Sequence, residues 1–469
     1  MARIAVIGAG LGAMAAAARL AVAGHRVTVF ERTSTYGGAV GRFERDGFAF
    51  DTGPGLLHLP AVYRDLFVKT GKEPLESRVE LTQVDPASRH VFADGVSVDL
   101  PNASRAGTVA ALDTALGGGA GERWGEFLVR AREAWDRTRR PLLEEPQPAD
   151  VARLGREPYP APKAGFLRRP TTTLAQVGAR ELRDPRLVAL LDAYAWSYGF
   201  DPSTAPAAAA VLPYMEQTFG SWYVSGGVRA LADAVYERCV ARRVEFALGA
   251  EVTGVRTKDG RAAGIELADG TVVDADHVVA GARVPALDDL GGRPRHGSPG
   301  TGRVVLCLAL RGGREPDAVH RTVVHAAAGR PTVTVLRPGD PALVPDDAHE
   351  AATVTATVST APGQDWAEYA ERMLGAAESA IPGLRERLLH HEVRTPDDTL
   401  RETGSAEVPG PALGGADGRH LPAGNVSPLP GLYFAGGWAH PGGGLAHAGM
   451  SGALVSGLIV EGADFRGSQ

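Results

Sequence analysis

Lysine and asparagine are the residues that this chain of 469 residues lacks most clearly. It contains four lysines and two asparagines, so 45 of its 49 basic residues are arginines. A chain with this bias, rich also in alanine, glycine and proline, resembles the translation of high-GC coding sequence. A single arginine therefore does not by itself indicate a functional site.

Cysteine, net positive charge and long apolar runs are also scarce. The two cysteines, Cys239 and Cys307, lie far apart, which excludes a disulfide framework and is consistent with a reducing compartment. The formal net charge of -6 argues against nucleic acid as a partner, because nonspecific binding needs a basic surface. No uninterrupted apolar run reaches the roughly 18 residues that indicate a transmembrane helix.

Export signals and metal-ligand patterns are not found either. The residues before the first predicted strand contain no charged segment, apolar stretch or cleavage site, so we expect a cytoplasmic protein. The 13 histidines show no metal-ligand spacing, so no metal site is predicted.

What the chain does contain, from its first residues, is a strand-helix-strand unit of about 30 residues. Residues 3–7 form a short apolar run that is typical of a buried strand. Residues 11–24 are small and apolar and predict a helix that ends at Gly24. Residues 26–30 predict a second strand, which ends at Glu31.

A glycine-rich motif joins the first strand to the helix and indicates a dinucleotide site. It has the form G-x-G-x-x-A over residues 8–13. Gly8 permits the tight turn, Gly10 lets backbone N–H groups approach a pyrophosphate, and Ala13 keeps the helix close to the sheet. The helix N-terminus adds partial positive charge toward the phosphates. Glu31, 23 residues after Gly8, is placed to accept hydrogen bonds from a ribose.

A second glycine cluster favours FAD over NAD. Gly37 and Gly38 follow the second strand, where glycines let the chain pass close to the pyrophosphate. Arg42, four residues further on, can offer charge-assisted hydrogen-bond donors to it.

The rest of the chain alternates between helical and strand patterns. The alternation of residues 351–358 predicts an antiparallel sheet with one covered face. Helices are predicted at 61–68, 120–140, 228–242, 364–379 and 445–460, and strands within 244–280, at 303–310 and at 432–435. The implied fold class is α/β, with a discontinuous nucleotide domain and a second domain of antiparallel sheet with a helical cover.

These motifs resemble those of the phytoene desaturase-like flavoproteins, which belong to the wider fold group of amine oxidases and GDP-dissociation inhibitors. The resemblance spans both ends and the middle of the chain, but not 75–185 or 285–425. It is carried by Gly8 to Ala13, Glu31, Gly37-Gly38, Phe50-Asp51-Thr52-Gly53-Pro54, residues 215–223, Gly226-Gly227, Ala230-Leu231, residues 431–437 and residues 440–444.

The resemblance implies a Rossmann-type, p-hydroxybenzoate-hydroxylase-like domain with noncovalent FAD. That domain would comprise 1–70, 215–285 and 425–469, and a substrate domain would comprise 71–214 and 286–424. The residues implied to hold FAD are Gly8, Gly10, Leu11, Gly12, Ala13, Glu31, Arg32, Gly38, Arg42, Gly53, Pro54, Gly55, Val252, Gly436, Gly437, Gly444, Leu445 and Ala446.

Five residues are candidates for catalysis, namely His58, Tyr214, Glu216, His440 and His447. His58 and His447 stand where relatives more often carry smaller or apolar residues. These two imidazoles favour a substrate with a polar end, or a reaction other than phytoene desaturation. Desaturation itself needs no catalytic triad, because FAD accepts the hydride and a polyene cation is delocalised.

The leading hypothesis is an FAD-dependent desaturase that moves a hydride from a small apolar, isoprenoid or carotenoid-like substrate to flavin N5, with oxygen or a quinone as electron acceptor. One alternative keeps the flavin and changes the substrate, giving an amine or amino-acid oxidase, a saturase, an isomerase or a natural-product tailoring oxidase. Another is a non-enzymatic lipid-binding escort of the GDP-dissociation-inhibitor type, which the intact glycine motifs disfavour.

Two further expectations concern access of an apolar substrate. Trp222 and Tyr223 are candidates for the lining of an apolar tunnel. Residues 166–169, two apolar side chains followed by two arginines, predict a weak contact with a membrane surface.

Overall fold

The computed structural model describes residues 1–148, 150–160, 172–290, 300–327, 329–361 and 363–467. Its strands are β1 (Arg3–Ile7), β2 (Arg26–Glu31), β3 (Arg42–Arg45), β4 (Phe48–Asp51), β5 (Leu81–Gln83), β6 (Ser88–Val91), β7 (Ser97–Leu100), β8 (Trp222–Val224), β9 (Glu245–Leu248), β10 (Val252–Lys258), β11 (Arg261–Leu267), β12 (Val272–Asp274), β13 (His277–Ala280), β14 (Thr301–Arg311), β15 (Arg321–Val324), β16 (Val333–Leu336), β17 (His349–Ser359), β18 (Leu388–Arg394) and β19 (Leu432–Phe434). Its α-helices are α1 (Leu11–Val22), α2 (Ala61–Gly71), α3 (Arg105–Leu116), α4 (Ala120–Arg139), α5 (Leu174–Val177), α6 (Pro185–Ser197), α7 (Val211–Phe219), α8 (Val228–Ala241), α9 (Trp366–Ala377), α10 (Leu384–Arg387), α11 (Pro396–Thr403) and α12 (Leu445–Glu461).

Five parallel strands, in the order β19-β13-β1-β2-β9, form the sheet that carries the nucleotide motifs. β1 takes the central position in this sheet. Its apolar residues are buried, which is typical of a strand that is covered on both faces. Val6 pairs with Val29 of β2 on one side and with Val279 of β13 on the other. The strands come from distant stretches of chain, which confirms the predicted discontinuous Rossmann-type sheet.

Helices α1 and α12 pack in close contact because small residues meet at their crossing. A Cβ on Gly452 would lie 2.4 Å from the carbonyl oxygen of Gly12, and a Cβ on Gly12 would lie 2.7 Å from Cα of Gly436. Both helices begin directly after a glycine, Gly10 for α1 and Gly444 for α12. Two helix N-termini are thereby brought to the same region of the fold.

A small antiparallel sheet of β10, β11 and β12 lies in the chain between β9 and β13. Lys258 pairs with Arg261, so Asp259 and Gly260 form a two-residue turn. Their φ angles of 52° and 74° are those of the type I′ turn that matches the twist of a hairpin. The strands predicted within residues 244–280 are confirmed.

The second large sheet has seven strands in the order β18-β14-β17-β16-β15-β6-β7. Its neighbouring strands are antiparallel except for β15 and β6, which are parallel. Along β17 the side chains of Val354 and Ala356 pack with Met373 and Leu374 of α9. The intervening threonines face the opposite side. The sheet predicted from the alternation of residues 351–358 is confirmed.

Helices α4, α6 and α7 supply the predicted helical cover. Trp124 and Phe127 of α4 are completely buried against Leu190 and Leu191 of α6. Within the described ranges, none of the helices is long and apolar enough to cross a bilayer. Residues 166–169, for which membrane contact is predicted, lie outside the described residues. The residue boundaries assigned to the two domains stay a prediction.

Candidate active site

A cavity of about 1470 Å³ is lined by the parallel sheet, the seven-stranded sheet and the helical cover. Pockets that bind one small ligand usually measure roughly 300–1,000 Å³. The cavity therefore has room for a dinucleotide and a second molecule. The glycine motifs of the sequence open into it, and so does the inner face of the seven-stranded sheet.

The loop between β1 and α1 leaves space where a phosphate needs it. Gly8 has a φ of +86°, and a Cβ there would lie 2.7 Å from that of Ala282, so a glycine is required. A Cβ on Gly10 would meet nothing within 4 Å, and this residue lines the cavity. Since Gly10 caps α1 without a side chain, the first N–H groups of the helix remain available to an anion.

Glu31 holds this loop through its carboxylate. Oε2 accepts a hydrogen bond of 2.8 Å from the Ala9 N–H, and Oε1 accepts two of 2.9 Å from the N–H and hydroxyl of Thr33. A carboxylate offers about four lone-pair positions. These three hydrogen bonds use three of them, so one remains for a ribose hydroxyl. The side chain lines the cavity, and it also positions the glycine loop.

Arg42 and Asp51 pair across the β3–β4 hairpin and position the start of α8. Arg42 donates a hydrogen bond to the Gly226 carbonyl oxygen. The Asp51 carboxylate accepts bonds of 2.6 Å and 3.2 Å from the N–H groups of Val228 and Arg229, at the positive end of the helix. Burial nevertheless raises the pKa of Asp51 to about 6. Because Arg42 already donates one hydrogen bond to Gly226, it can offer a ligand only its remaining N–H groups.

The start of α12 is the second helix N-terminus at the cavity. Gly444, with a φ of +102°, precedes it without a capping side chain. Leu445 and Ala446 line the cavity, and the Leu445 carbonyl oxygen accepts a 2.8 Å hydrogen bond from the Tyr63 hydroxyl. The partial positive charge of this helix end favours negative charge in the cavity beside it.

These features fit FAD. The predicted FAD-binding residues line the cavity with the exception of Ala13. Ala13 lies beneath the loop, where a Cβ on Gly281 would come within 2.5 Å of its own Cβ. Ala13 therefore acts by allowing close packing, as the motif predicts, and not by facing the ligand.

Two of the predicted catalytic residues meet at a buried charge cluster. His58 Nε2 lies 3.6 Å from Glu216 Oε1, and the Arg321 guanidinium lies 2.8 Å from Glu216 Oε2. Burial acts to raise the pKa of Glu216, but the neighbouring His58 and Arg321 outweigh it and lower that pKa below its usual value. Glu216 is therefore an ionised carboxylate on the cavity wall.

His447 faces the cavity from the first turn of α12. Burial, with the nearby His440, lowers the pKa of His447 to about 4. Its imidazole is therefore neutral at pH 7, where it can donate or accept a hydrogen bond without carrying charge.

Comparison with known proteins identifies the family. The model of the flavin containing amine oxidoreductases matches residues 14–460. The chain belongs to the flavin containing amine oxidoreductase family. It is 30% identical to the 4,4'-diapolycopene oxygenase of Methylomonas sp over 98% of both chains. It is 29% identical to the hydroxyneurosporene desaturase of Cereibacter sphaeroides, over 98% of this chain and 97% of that relative. An oxidoreductase structure from Methanosarcina mazei is similar with a TM-score of 0.69 at 18% identity, covering 97% of this chain and 99% of that chain.

This flavin containing amine oxidoreductase is an FAD-dependent enzyme. The assignment agrees with the glycine loop, the Glu31 carboxylate and the free N-terminus of α12. It favours the enzyme hypotheses over the non-enzymatic escort.

The structure corrects two of the catalytic candidates. His440 is fully buried behind the cavity wall, where its Nε2 lies 2.9 Å from the Glu145 carbonyl oxygen. Its own carbonyl oxygen accepts a hydrogen bond of 2.8 Å from the Ser451 hydroxyl. Tyr214 packs on the Trp135 ring with a centroid distance of 6.3 Å. Neither residue is among those that line the cavity.

The predicted tunnel aromatics are also corrected. Trp222 belongs to β8, where its backbone pairs with Leu57 and its ring lies beside Arg64. The Tyr223 hydroxyl donates a 2.7 Å hydrogen bond to Asp340. The two side chains lie outside the cavity lining because β8 pairs with β5 at the edge of the site.

Sequence reasoning missed five arginines that line the cavity of this flavoenzyme, Arg229, Arg283, Arg303, Arg321 and Arg394. Arg303 and Arg321 occupy strands whose other residues are mostly apolar, β14 and β15. A charged residue on the inner face of such a strand is a signal of function or of a buried ion pair. The abundance of arginine in the chain concealed this signal.

Proposed function

We propose that this flavoenzyme is a desaturase that acts on a conjugated, carotenoid-like isoprenoid chain. The observation that carries the proposal is the continuity of one cavity from the glycine loops to the inner face of the seven-stranded sheet. Such a cavity accommodates FAD and a long second molecule side by side. The similarity over nearly the whole chain to a diapolycopene oxygenase and a hydroxyneurosporene desaturase supports a polyene substrate.

In this reaction one substrate carbon loses a hydrogen with its electron pair, the adjacent carbon loses a proton, and a C=C bond forms between them. Bound FAD supplies the acceptor for the hydride. The loops at Gly10 and Gly38 would hold the pyrophosphate, Glu31 the ribose, and the N-terminus of α12 the ring system. The two sheets and the helical cover hold the chain in place and exclude water.

The proton requires an acceptor on the cavity wall. We assign this task to His58, which lines the cavity with its Nε2 3.6 Å from the Glu216 carboxylate. His447 is neutral at pH 7 and serves to orient the substrate by a hydrogen bond.

Anaerobic reduction of the bound flavin tests the proposal. Addition of phytoene or a partly desaturated carotenoid to the holoenzyme should bleach the flavin absorbance, and a primary amine should not. An amine is disfavoured because a cationic ligand would meet the Arg303 guanidinium in the cavity, which forms no ion pair within the described residues. Bleaching by amines but by none of the polyenes would contradict the desaturase and favour the amine oxidase alternative.

A second candidate function is oxygenation of the polyene, which the 30% identity to a diapolycopene oxygenase favours. The product distinguishes the two reactions. Desaturation removes two hydrogens from the substrate, whereas oxygenation adds oxygen. Mass spectrometry of the product therefore decides between them.

The electron acceptor and the membrane contact are further parts of this proposal. Reoxidation of the substrate-reduced enzyme by oxygen or by a soluble quinone identifies the acceptor. A cytoplasmic enzyme that takes an apolar chain from a lipid surface should cosediment with liposomes. Retention of the protein in the supernatant would reject the membrane contact.

A further inference from the structure

The wall that the seven-stranded sheet contributes to the cavity is more polar than a hydrocarbon requires. Four threonines line the cavity from β17, β16 and the residue before β16: Thr332, Thr334, Thr355 and Thr357. Thr334 and Thr355 lie opposite each other in the register, and Thr357 lies opposite Arg303 of β14. One arginine therefore stands at the end of a row of hydroxyl groups.

Arg303 differs from the other arginines on this wall. Arg321 is paired with Glu216 at 2.8 Å, and Arg394 is paired with Glu402. Arg303 donates one hydrogen bond of 2.7 Å, to the Ser197 carbonyl oxygen. In the part of the chain that the structure describes, no carboxylate forms an ion pair with it.

The unused hydrogen-bonding capacity of Arg303 lies inside the cavity. A guanidinium has five N–H donors, and the bond to Ser197 uses one of them. Burial lowers the pKa of Arg303, although the nearby Tyr198 hydroxyl acts to raise it. A guanidinium that stays charged in such surroundings is stabilised by an acceptor oxygen, and an anionic or strongly polarised one fits best.

Tyr198 adds a second polar group at the same place. Its side chain lines the cavity, close to both Arg303 and Glu216. Burial, and then the Glu216 carboxylate, raise the pKa of Tyr198 well above its ordinary value, so the hydroxyl keeps its proton. The hydroxyl itself is buried against Glu216 and has no surface in the cavity, so the guanidinium is the group left for a ligand.

We propose that Arg303 binds an oxygen-bearing end of the substrate, a terminal carboxylate or aldehyde. This inference rests on the proposed function, since it specifies which polyenes the same cavity prefers. A hydrocarbon end would leave the guanidinium facing carbon. A carboxylate or carbonyl oxygen accepts its N–H groups, and a carboxylate also compensates its charge. The polyene would thus be held in one direction relative to the reacting carbons.

The test compares two carotenoids of equal chain length, a hydrocarbon and the same chain with one terminal carboxylate or aldehyde. Binding to the oxidised holoenzyme is measured by the perturbation of the flavin spectrum. We expect the wild-type protein to bind the oxygenated chain about tenfold or more tightly than the hydrocarbon. Arg303→Met should abolish this preference while leaving hydrocarbon binding unchanged or stronger, and Arg303→Lys should retain part of it.

Arg311→Met is the matched control, because Arg311 lies on the same strand but is exposed at its end. It should keep the wild-type preference. An unchanged preference in Arg303→Met overturns the proposal. So does an altered flavin spectrum or reduction potential of Arg303→Met without substrate, which would place the guanidinium against the flavin.

The same titrations distinguish a failure of this proposal from a failure of the proposed function. Equal binding of the two carotenoids to the wild-type protein overturns the role of Arg303 and leaves the desaturase intact. Binding of neither carotenoid overturns both. The FAD content of each variant confirms that it is folded before these titrations are interpreted.

Discussion

Glu216 neutralises positive charge at a position from which water is largely excluded. It is 5% exposed and lies between His58 and Arg321. The Coulombic interaction between such groups is stronger than at the surface, because the local dielectric is lower. The structure thus explains how a carboxylate stays ionised although burial alone would favour its protonated form.

Replacement of Glu216 by glutamine should therefore be strongly destabilising. The buried Arg321 guanidinium would lose its carboxylate partner, which costs about 3–5 kcal/mol in comparable sites. Equilibrium denaturation of the holoenzyme in urea measures this loss. Glu133→Gln is the control, since Glu133 pairs with Arg137 on the exposed face of α4 and should change the free energy of unfolding by under about 1 kcal/mol. Equal effects of the two changes would contradict the assignment.

Turnover should depend on His58 more than on His447. Loss of a positioned proton acceptor lowers turnover by about 10²–10⁴-fold, so His58→Ala should fall in this range. His447→Ala removes a neutral hydrogen-bonding group, so its main effect should be on the Michaelis constant. Steady-state assays with a carotenoid substrate measure both. Unchanged turnover in His58→Ala would reject its role as proton acceptor, and an unchanged Michaelis constant in His447→Ala would reject its role in substrate binding.

Individual elements were predictable where their pattern is strong. The predicted strand at 26–30 is β2 (Arg26–Glu31), and the predicted helix at 445–460 is α12 (Leu445–Glu461). The parallel pairing of β6 with β15 was not predicted, because short strands of four residues carry little information about their partners.

The packing of α1 on α12 makes a prediction for Gly12. A Cβ there would lie 2.7 Å from both the Ala448 carbonyl oxygen and Cα of Gly436, which are backbone atoms and cannot rotate away. Gly12→Ala should therefore lower the free energy of unfolding by about 1–3 kcal/mol and reduce the FAD content. Gly254→Ala on β10 is the control, because a Cβ there would meet nothing within 4 Å. It should change the free energy of unfolding by no more than about 0.5 kcal/mol and the FAD content by no more than a few per cent. Full FAD content in Gly12→Ala would show that the helices can separate without loss of the site.

At the scale of the whole molecule, buried histidines determine the response to acid. Burial lowers the pKa of seven histidines. The pKa is lowered to about 4 in His320, His325, His440 and His447, well below the ordinary value in His90, and also in His25 and His277. Since the native state disfavours their protonation, their contribution to stability is complete above about pH 6.5 and is lost as the pH falls toward 4.

Three buried carboxyl groups act in the opposite direction. Burial raises the pKa of Asp51 and Asp192 to about 6 and that of Glu157 to about 7. Their contribution is complete below about pH 4 and is lost as the pH rises through 6 to 7. Near pH 5 the histidines with a lowered pKa outnumber these carboxyl groups, so the unfolded chain binds more protons than the native chain.

The protein should therefore lose stability on acidification between pH 6 and 4.5. Urea denaturation at several pH values, with FAD in excess, measures this loss. Constant or rising stability as the pH falls through this range would contradict the assignment of the buried histidines as neutral groups.

The sequence by itself determined the dinucleotide loop, the FAD cofactor and the family, because these depend on local spacing. Gly8, Gly10 and Glu31 act within one strand-helix-strand unit, and any chain that folds locally in this way brings them together.

Only the tertiary structure decided which side chains share the substrate cavity. Glu216 meets Arg321 across 105 residues of chain, and His440 turns away from the cavity that its motif adjoins. Contacts over such separations depend on the register of β15 and on the placement of α7 and α12. No local pattern encodes these, because they result from the packing of the seven-stranded sheet against the helical cover.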